Sequence, residues 1–306
     1  MNNIMSTKVQ IFRNLKEYKF TNKLSDDNKV EIIEKVKLAV KGKMELVDLN
    51  ELDDKTMQFI TRSNIQGSNL LFAHKTKDLA IEMFGCEHLL IIANSDNGDD
   101  SSYELALQTA QELSNKINFA FNDEYGYLMS DLNHIGTGIQ IESEIMLLSI
   151  KAINKIEQVK QNVMKLGYQL QETKFKGMFK LRTKCNLGLS EKQVVSDFKN
   201  TLLKLQELEI ESAKVLDAEK HDELLDKSNR SKAVLESAHL LDYEELYSIV
   251  ANLRIGGMLS MNNIADTTLN ELQKLVIRKK DEFISQSEQK ELAHKVKEIL
   301  KGGKNV

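Results

Sequence analysis

The sequence predicts an α+β fold, in which an antiparallel β-sheet flanked by helices is followed by a helical C-terminal domain. Segments with apolar residues at helical spacing occur along all 306 residues. Short strand-like runs, several of which alternate apolar with polar residues, end before Lys220. We therefore expect an α+β domain over residues 1–205 and a helical domain over residues 206–306.

Three helices are predicted in the first part of the chain. The first follows the capping residue Ser25 and ends near Gly42. Its apolar stripe consists of Val30, Ile33, Val36 and Val40. The second presents one apolar face, made of Ala106, Ala110, Leu113 and Ile117. The third is expected from about Glu142 to Leu166, with Gly167 as its stop.

Four strand-like runs lie around these helices. They are DLAIEMF (78–84), HLLIIAN (88–94), YQLQETKF (168–175) and MFKLRTKC (178–185). A capping box of Ser190 and Gln193 then opens a long helix that is expected to end near Glu219. Its apolar stripe consists of Val194, Phe198, Leu202, Leu205 and Leu208. Further helices are expected to begin near Asp222, Asp242, Asp266 and Ser285.

Composition and charge exclude several classes of protein. Charged residues make up 29% of the chain and apolar residues 41%, as in a soluble globular protein. The net charge of −4 argues against a nucleic-acid partner, and the lack of a long apolar run argues against a membrane one. Cys86 and Cys185 stand apart in sequence, so we expect inert buried thiols and no metal site. Without a signal peptide, these features predict a cytoplasmic protein.

A glycine turn is the first candidate for a binding site. Gly136, Thr137 and Gly138 precede the third predicted helix, where backbone N–H groups can hold an anion. The alternative is a strand-to-helix turn that is kept for its shape. The residues that follow, Gln140, Glu142 and Glu144, do not suit a polyanion.

Four separated stretches resemble one enzyme family. STKVQIFRNL (6–15) is similar to the pattern S-S-R-I-R-L-A-R-N, and FGCEHLLI (84–91) is similar to N-E-E-D-H-[LI]-R-I. The stretch 121–140 resembles the signature G-Y-L-T-S-C-P-T-N-x-G-T-G-[LM]-R, and LGLSEKQVV (187–195) resembles the segment after an R-G-x-x-G-E loop. Together they resemble the ATP:guanido phosphotransferases, and the stretches 226–235 and 253–272 resemble the C-terminal part of bacterial protein-arginine kinases within that family.

The resemblance implies a nucleotide site from which the arginines are gone. Family members hold the ATP phosphates with a ring of arginines. The positions that correspond to nucleotide contacts here are Lys8, Gln10, Leu90, Gly136, Thr137, Gly138, Gln140 and Gln171. Among the arginine positions, Lys8 alone keeps a positive charge. Four lost arginines remove on the order of 6 kcal/mol of binding, since each such hydrogen bond contributes about 1.5 kcal/mol or more.

The resemblance also implies an altered guanidine-acceptor site. Gly85 and Cys86 stand where the family has carboxylates, whereas Glu87 and His88 are kept in type. Asp131 stands where the family has the cysteine that lies against the guanidinium nitrogens, and His134 where its P-T-N ends. For His88 we consider an acid–base group and a structural histidine. For Asp131 we consider a carboxylate base and a substitution that was tolerated after catalysis was lost.

These changes predict a pseudokinase that is similar to protein-arginine kinases. Such a protein is expected to act by binding another protein and to need no cofactor. The resemblance implies three candidate partners: an active protein-arginine kinase, its zinc-containing activator, and a Clp-type chaperone, in a homo- or hetero-oligomer. The alternative is an ATP- and magnesium-dependent phosphotransferase in which Lys8, Glu87, His88 and Asp131 have new roles. A third hypothesis is a purely structural subunit in a mixed oligomer.

Overall fold

An antiparallel sheet of eight strands organises the molecule, in the order β2-β3-β4-β5-β1-β8-β10-β9. The computed structural model describes residues 2–48, 70–74, 78–96, 98–184, 187–277 and 284–302. The strands of the sheet are β1 (Ile4–Arg13), β2 (Met44–Asp48), β3 (Leu70–His74), β4 (Leu79–Met83), β5 (Leu89–Asp96), β8 (Ile139–Met146), β9 (Tyr168–Glu172) and β10 (Met178–Thr183). A separate two-stranded ribbon consists of β6 (Phe121–Asn122) and β7 (Gly126–Tyr127).

Helices cover one face of this sheet and form the C-terminal part of the chain. They are α1 (Asp26–Ala39), α2 (Ser101–Ser114), α3 (Leu148–Ala152), α4 (Ile156–Lys165), α5 (Glu191–Ser237), α6 (Tyr243–Met258), α7 (Asp266–Ile277) and α8 (Gln286–Gly302). The expected α+β class, with a helical C-terminal part, is confirmed. Among the described helices, none combines the length and the apolar character that crossing a membrane requires.

Two hydrophobic cores hold these elements together. The larger lies between the sheet and α1, α2, α4 and the first half of α5, and includes Val9, Ile141 and Phe198. The smaller lies mainly among α5 to α8 and includes Leu235 and Leu253. Helix α5 contributes to both cores and passes through residue 205 without a break, so the proposed domain boundary falls within a helix.

The prediction of the third helix is wrong over its first turns. Residues 139–146 form strand β8, and helices α3 and α4 follow it as separate elements. Ile139, Ile141 and Ile145 are buried and alternate with polar residues, which is the period of a strand. Ile145 also fits a helical spacing with Leu148 and Ala152, so the sequence alone favoured a helix at this point. Gly167, at φ 86°, does follow the end of α4 as expected.

Two other details differ from the prediction. Val30 is 61% exposed, and Ile32 is the buried residue in that turn of α1. Leu208 is 42% exposed, and the neighbouring Glu209 is fully buried instead. The carboxylate of Glu209 accepts hydrogen bonds from the backbone N–H groups of Ser149 and Ile150, at 2.6 and 3.0 Å, at the start of α3. A buried acid thus compensates the unpaired amides of that helix end.

The helix caps and the break in the long helix agree with the predictions made from the sequence. The side chain of Ser25 accepts a hydrogen bond from the N–H group of Asn28, and Ser190 forms the expected capping box. The side chain of Asp242 accepts from the N–H group of Glu245 at the start of α6. Lys220 has non-helical dihedral angles, so the expected boundary between two helices appears as a kink within α5.

The start of β1 is attached to the C-terminal helices by polar contacts. The N–H group of Asn2 donates to Asp266 on α7 at 3.0 Å, and its carbonyl oxygen accepts from Arg254 on α6 at 3.1 Å. Gln206 on α5 donates to the Asn2 side chain at 2.7 Å. Arg254 is fully buried and also donates to Asn270 at 2.6 Å.

Candidate functional site

The expected nucleotide positions outside the glycine turn project from one face of the sheet, opposite the larger core. In the strand register Lys8 lies opposite Glu142 and Gln10 opposite Gln140, while Val9 and Ile141 point into the core. On this face Arg182 lies opposite Glu142, and Lys180 lies between Glu144 and Gln171. We call this surface the polar face; its residues are Lys8, Gln10, Gln140, Glu142, Glu144, Gln171, Lys180 and Arg182.

Three cations of the polar face converge on one carboxylate. Glu142 is 5% exposed. Its Oε1 atom lies 2.9 Å from the Nζ atom of Lys180 and 3.5 Å from that of Lys8. Its Oε2 atom accepts hydrogen bonds from Arg182, from Nε at 2.9 Å and from the terminal Nη2. The positive groups on this part of the sheet are therefore held by an acid of the same chain.

These contacts set the ionisation of the carboxylate. Burial alone would raise the pKa of Glu142. The charges of Lys8 and Lys180 and the hydrogen bonds from Lys180 and Arg182 outweigh burial and lower this pKa to about 2. Glu142 is thus an anion at any pH near neutrality. Burial also lowers the pKa of Lys8, and the charge of Glu142 partly offsets that effect.

The part of this face around Leu90 on β5 is largely apolar. Leu90, at a position where the family has an arginine, lies opposite Phe12 on β1 and Glu82 on β4. The residues beside it on this face include Leu71, Ala80 and Ile92, which are fully buried. Glu82 is 3% exposed, and burial raises its pKa to about 7. A phosphate group bound at this half of the face would therefore meet apolar side chains and an acid.

The glycine turn leads into strand β8 and not into a helix, so the expected helix N-terminus is absent here. The side chain of Arg13 is 1% exposed and donates to the carbonyl oxygen of Thr137 at 2.9 Å. Its guanidinium also stacks on the Tyr127 ring at 3.5 Å and donates to Glu191 at 2.6 Å. Gly138, at φ 63°, lies so close to Arg13 that a Cβ atom would be 2.7 Å from Nη1. The turn is a packed structural element.

Glu87 is a buried acceptor for the loop that follows β7. Its carboxylate accepts from the backbone N–H groups of Ser130 and Asp131, at 2.9 and 3.1 Å, and from the Ser130 hydroxyl at 2.9 Å. The Asn14 side chain donates to the other oxygen at 2.6 Å. This acid therefore joins the end of β1 to the loop at residues 130–131.

His88 is held as a neutral side chain by two backbone groups. The N–H group of Leu15 donates to its Nδ1 atom at 3.0 Å. Its Nε2 atom lies 2.8 Å from the carbonyl oxygen of Lys19, so the proton resides on Nε2. Burial lowers the pKa of His88 below its usual value. These contacts match those of a structural histidine, because both ring nitrogens have backbone partners.

Asp131 and Cys86 lie close to Glu87. Asp131 caps the short 3₁₀ turn at 132–134, and a hydrogen bond from the Asn133 N–H group lowers its pKa. Cys86 is exposed in the bend at 84–88, so its predicted burial is wrong. Although the residue as a whole is exposed, neighbouring atoms partly desolvate its thiol group. This desolvation and the charge of Glu87 raise the pKa of the Cys86 thiol to about 11, which opposes thiolate reactivity. Gly85 precedes it beside the Glu82 carboxylate. Cys185 lies outside the described residues.

His134 joins Cys86 and Glu87 at this end of the sheet. One potential ligand atom from each of these three side chains lies within 4.8 Å of the others. The His134 ring stacks on Phe12, with the ring centroids 3.8 Å apart. Burial lowers the pKa of His134.

Comparison with known proteins decides the family. Residues 1–212 match the sequence profile of the ATP:guanido phosphotransferase C-terminal catalytic domain. The chain belongs to the ATP:guanido phosphotransferase family. Among its relatives are the protein-arginine kinases of Halothermothrix orenii and Clostridium acetobutylicum. The first is 22% identical over 97% of this chain and 90% of the relative, and the second is 22% identical over 97% and 93%.

Solved guanido phosphotransferases share this fold. A substrate-free duplicated taurocyamine kinase from Schistosoma mansoni superposes with a TM-score of 0.59 at 19% identity. The match covers 68% of this chain and 33% of that one. A lombricine kinase superposes with a TM-score of 0.59 at 15% identity, over 71% of this chain and 67% of that one.

The sequence alone did not single out Lys180 and Arg182 as candidate site residues. The alternation in MFKLRT places both on one face of β10 and the apolar Phe179 and Leu181 on the other. That signal was present in the sequence. The sequence did not reveal the register between β10 and β8, which places the two cations next to Glu142.

Proposed function

We propose that this protein is a non-catalytic member of the protein-arginine kinase group and that it acts by binding another protein. The observation that carries the proposal is the ion cluster on the polar face. Lys8, Lys180 and Arg182 are engaged by Glu142, so a triphosphate would have to compete with a carboxylate that is already in place. Phosphoryl transfer depends on fixed positive groups more in the transition state than in the ground state.

The acceptor side supports the same proposal. Glu87 and His88, the acceptor-site residues that the chain keeps in type, have their polar atoms in hydrogen bonds with neighbouring loops. The carboxylate of Asp131 caps a turn. A guanidinium group at this place would therefore meet few carboxylate oxygens able to orient it or accept its proton.

The framework around the site is intact, which favours a protein that is still selected for its fold. Arg13 and Asn14 match the R-N of the family pattern and hold the glycine turn and the Glu87 loop. Candidate partners are an active protein-arginine kinase, its zinc-containing activator and a Clp-type chaperone. A cytoplasmic location and a hetero-oligomer with the active kinase belong to the same proposal.

Calorimetry with MgATP tests the catalytic part of the proposal. We expect no heat of binding at millimolar nucleotide and no phosphoarginine on a test protein, with an active protein-arginine kinase as the positive control. Micromolar binding together with phosphoarginine formation would contradict it. Co-elution with each purified candidate partner in size-exclusion chromatography tests the binding part, and elution of every mixture as separate components would contradict that part.

A second candidate function is a phosphotransferase with a rebuilt site. Lys180 and Arg182 favour it, because they bring cations from β10 to the side of Lys8. In that enzyme ATP and magnesium would be cofactors and Asp131 would act as a base. Asp131→Asn should then abolish turnover, and Lys180→Ala with Arg182→Ala should weaken ATP binding at least about tenfold. Equal turnover in all variants would exclude it.

A further inference from the structure

Three side chains of different chemistry converge beside the end of β1. Cys86 supplies a thiol from the bend before β5, Glu87 a carboxylate from the same bend, and His134 an imidazole from the 3₁₀ turn at 132–134. Their ligand atoms lie within 4.8 Å of one another. Atoms that share one zinc ion are about 3–4 Å apart, since its bonds to sulfur, nitrogen and oxygen are about 2.0–2.3 Å long. The spacing of this set, up to 4.8 Å, is somewhat wider, so metal binding would require the side chains to move closer together.

Buried polar atoms next to the cluster lack a partner. The Nδ1 atom of His134 is buried and, within the described part of the chain, has no hydrogen-bond partner. The same holds for the Oε1 atom of Glu82, a residue 3% exposed, which lies beside Gly85 at the start of the bend. Buried polar groups are nearly always satisfied, so the unpaired Nδ1 atom of His134 within the cluster indicates an additional ligand there.

The two non-acidic members of the cluster are substitutions relative to the family pattern. Cys86 replaces a carboxylate of N-E-E-D-H, and His134 replaces the asparagine of P-T-N. Both changes introduce a side chain that coordinates transition metals, and both are next to an acid that is kept. Loss of a catalytic carboxylate alone does not require either residue type.

We propose that Cys86, Glu87 and His134 bind one divalent transition-metal ion of the zinc class, with a fourth coordination position left for water or a further ligand. Mixed sulfur, nitrogen and oxygen ligands favour zinc over magnesium or calcium, which prefer oxygen alone. Asp131 is close to the cluster, since its Oδ2 atom lies 4.0 Å from the Nδ1 atom of His134. The metal would join the bend at 84–88 to the turn at 132–134, and the proposal does not depend on phosphoryl transfer.

The hydrogen bonds of Glu87 are compatible with this site. A carboxylate has about four acceptor positions, and Glu87 has donors from Ser130, Asp131 and Asn14. The Ser130 hydroxyl has a second acceptor, the carbonyl oxygen of Cys86 at 3.0 Å. When the hydroxyl donates there, one position on Glu87 becomes available to the metal, and the remaining donors orient the carboxylate.

Cobalt substitution tests the site on the full chain. The protein is stripped with EDTA, dialysed and titrated with Co²⁺. We expect one equivalent to bind, with a thiolate-to-cobalt charge-transfer band in the near ultraviolet that one equivalent of Zn²⁺ abolishes. Zinc should also raise the melting temperature of the stripped protein, because it binds the folded state. A titration without this band would overturn the proposal.

Matched variants assign the ligands. Cys86→Ser should remove the band, and Cys86→Ser and His134→Gln should each weaken zinc binding at least about tenfold. The controls Cys185→Ser and His294→Gln should retain both properties; His294 is exposed on α8. Far-ultraviolet circular dichroism in EDTA establishes whether each variant folds. If His134→Gln does not fold, Cys86→Ser decides the test, because Cys86 is at an exposed position. A band that survives Cys86→Ser or disappears in Cys185→Ser refutes the assignment.

Discussion

Glu142 and Lys180, on the neighbouring strands β8 and β10, form an ion pair of 2.9 Å in the middle of the polar face. Lys8 and Arg182 bind the same carboxylate, so three cations share one buried acid. This surface keeps its positively charged side chains, but a carboxylate of the same chain already occupies the space between them. It also makes Glu142 the residue whose replacement is most informative.

Glu142→Gln should create an anion site while it weakens the fold. Without the carboxylate, Lys8, Lys180 and Arg182 repel one another, so we expect a loss of about 1–3 kcal/mol in the free energy of unfolding. The same change leaves three cations for a polyphosphate, and tripolyphosphate should then raise the melting temperature of the variant but not of the parent protein. The control is Glu144→Gln on the same face, which should neither lower the free energy of unfolding nor give a response to tripolyphosphate. Equal responses to tripolyphosphate in both variants would contradict the expected role of Glu142.

The ion cluster predicts a specific dependence of stability on pH. The pKa of Glu142 falls from its usual 4.5 to about 2 in the folded protein, so its contribution is complete above pH 4.5. That contribution decreases as the pH falls from about 4.5 to about 2 and the folded state becomes protonated. Urea unfolding at pH 5 and pH 3 should show the difference between the parent and Glu142→Gln shrinking by about 1–2 kcal/mol. A constant difference would mean that the carboxylate does not titrate as described.

Glu87→Ala should loosen the loop at residues 130–131. The N–H groups of Ser130 and Asp131 and the amide of Asn14 would lose their common acceptor. Buried donors without a partner cost about 1–3 kcal/mol each, and we expect a loss of about 2–4 kcal/mol after partial solvation. Chemical unfolding in EDTA measures it apart from any metal effect. Glu124→Ala, at an exposed position, serves as the control, and similar losses in the two variants would be unexpected.

Gly138→Ala should be far more harmful than Gly167→Ala. Both glycines have positive φ, 63° and 86°, so both substitutions impose about 1 kcal/mol of backbone strain. At Gly138 the new Cβ atom would also lie 2.7 Å from Arg13 Nη1 and from the Phe12 carbonyl oxygen, whereas at Gly167 nothing lies within 4 Å. We expect a further loss of about 1–3 kcal/mol at Gly138, measured as the difference between the two melting curves. Equal melting temperatures would contradict the packed turn.

Local signals in the sequence were sufficient for much of the fold. The capping residues Ser25, Ser190 and Asp242 and the glycine after α4 mark helix ends through short-range hydrogen bonds and backbone geometry. Strand β8 was missed because its isoleucines fit the start of a helical stripe as well as a strand. Its identity depends on pairing with β1, in which Thr7 and Ser143, for example, are 136 positions apart.

The site was harder to predict because it depends on register. The altered nucleotide positions, such as Gln140 and Leu90, were visible from their motifs alone. The convergence of Lys180 and Arg182 on Glu142 was not, because it requires the pairing of β8 with β10. The contacts of Arg13, which explain why the glycine turn is packed, likewise involve Thr137, Tyr127 and Glu191 from distant segments.

The attachment of Asn2 has a consequence for biogenesis. Its backbone N–H group is bonded to Asp266, 264 positions later. During synthesis on the ribosome the first strand emerges early, yet the helices that anchor its beginning emerge near the end. Pairing with β8 can hold the first residues of β1 once residue 146 has been synthesised. The contacts of Asn2 with Arg254 and Asp266 close a far longer loop, so they form only after α6 and α7 have left the exit tunnel.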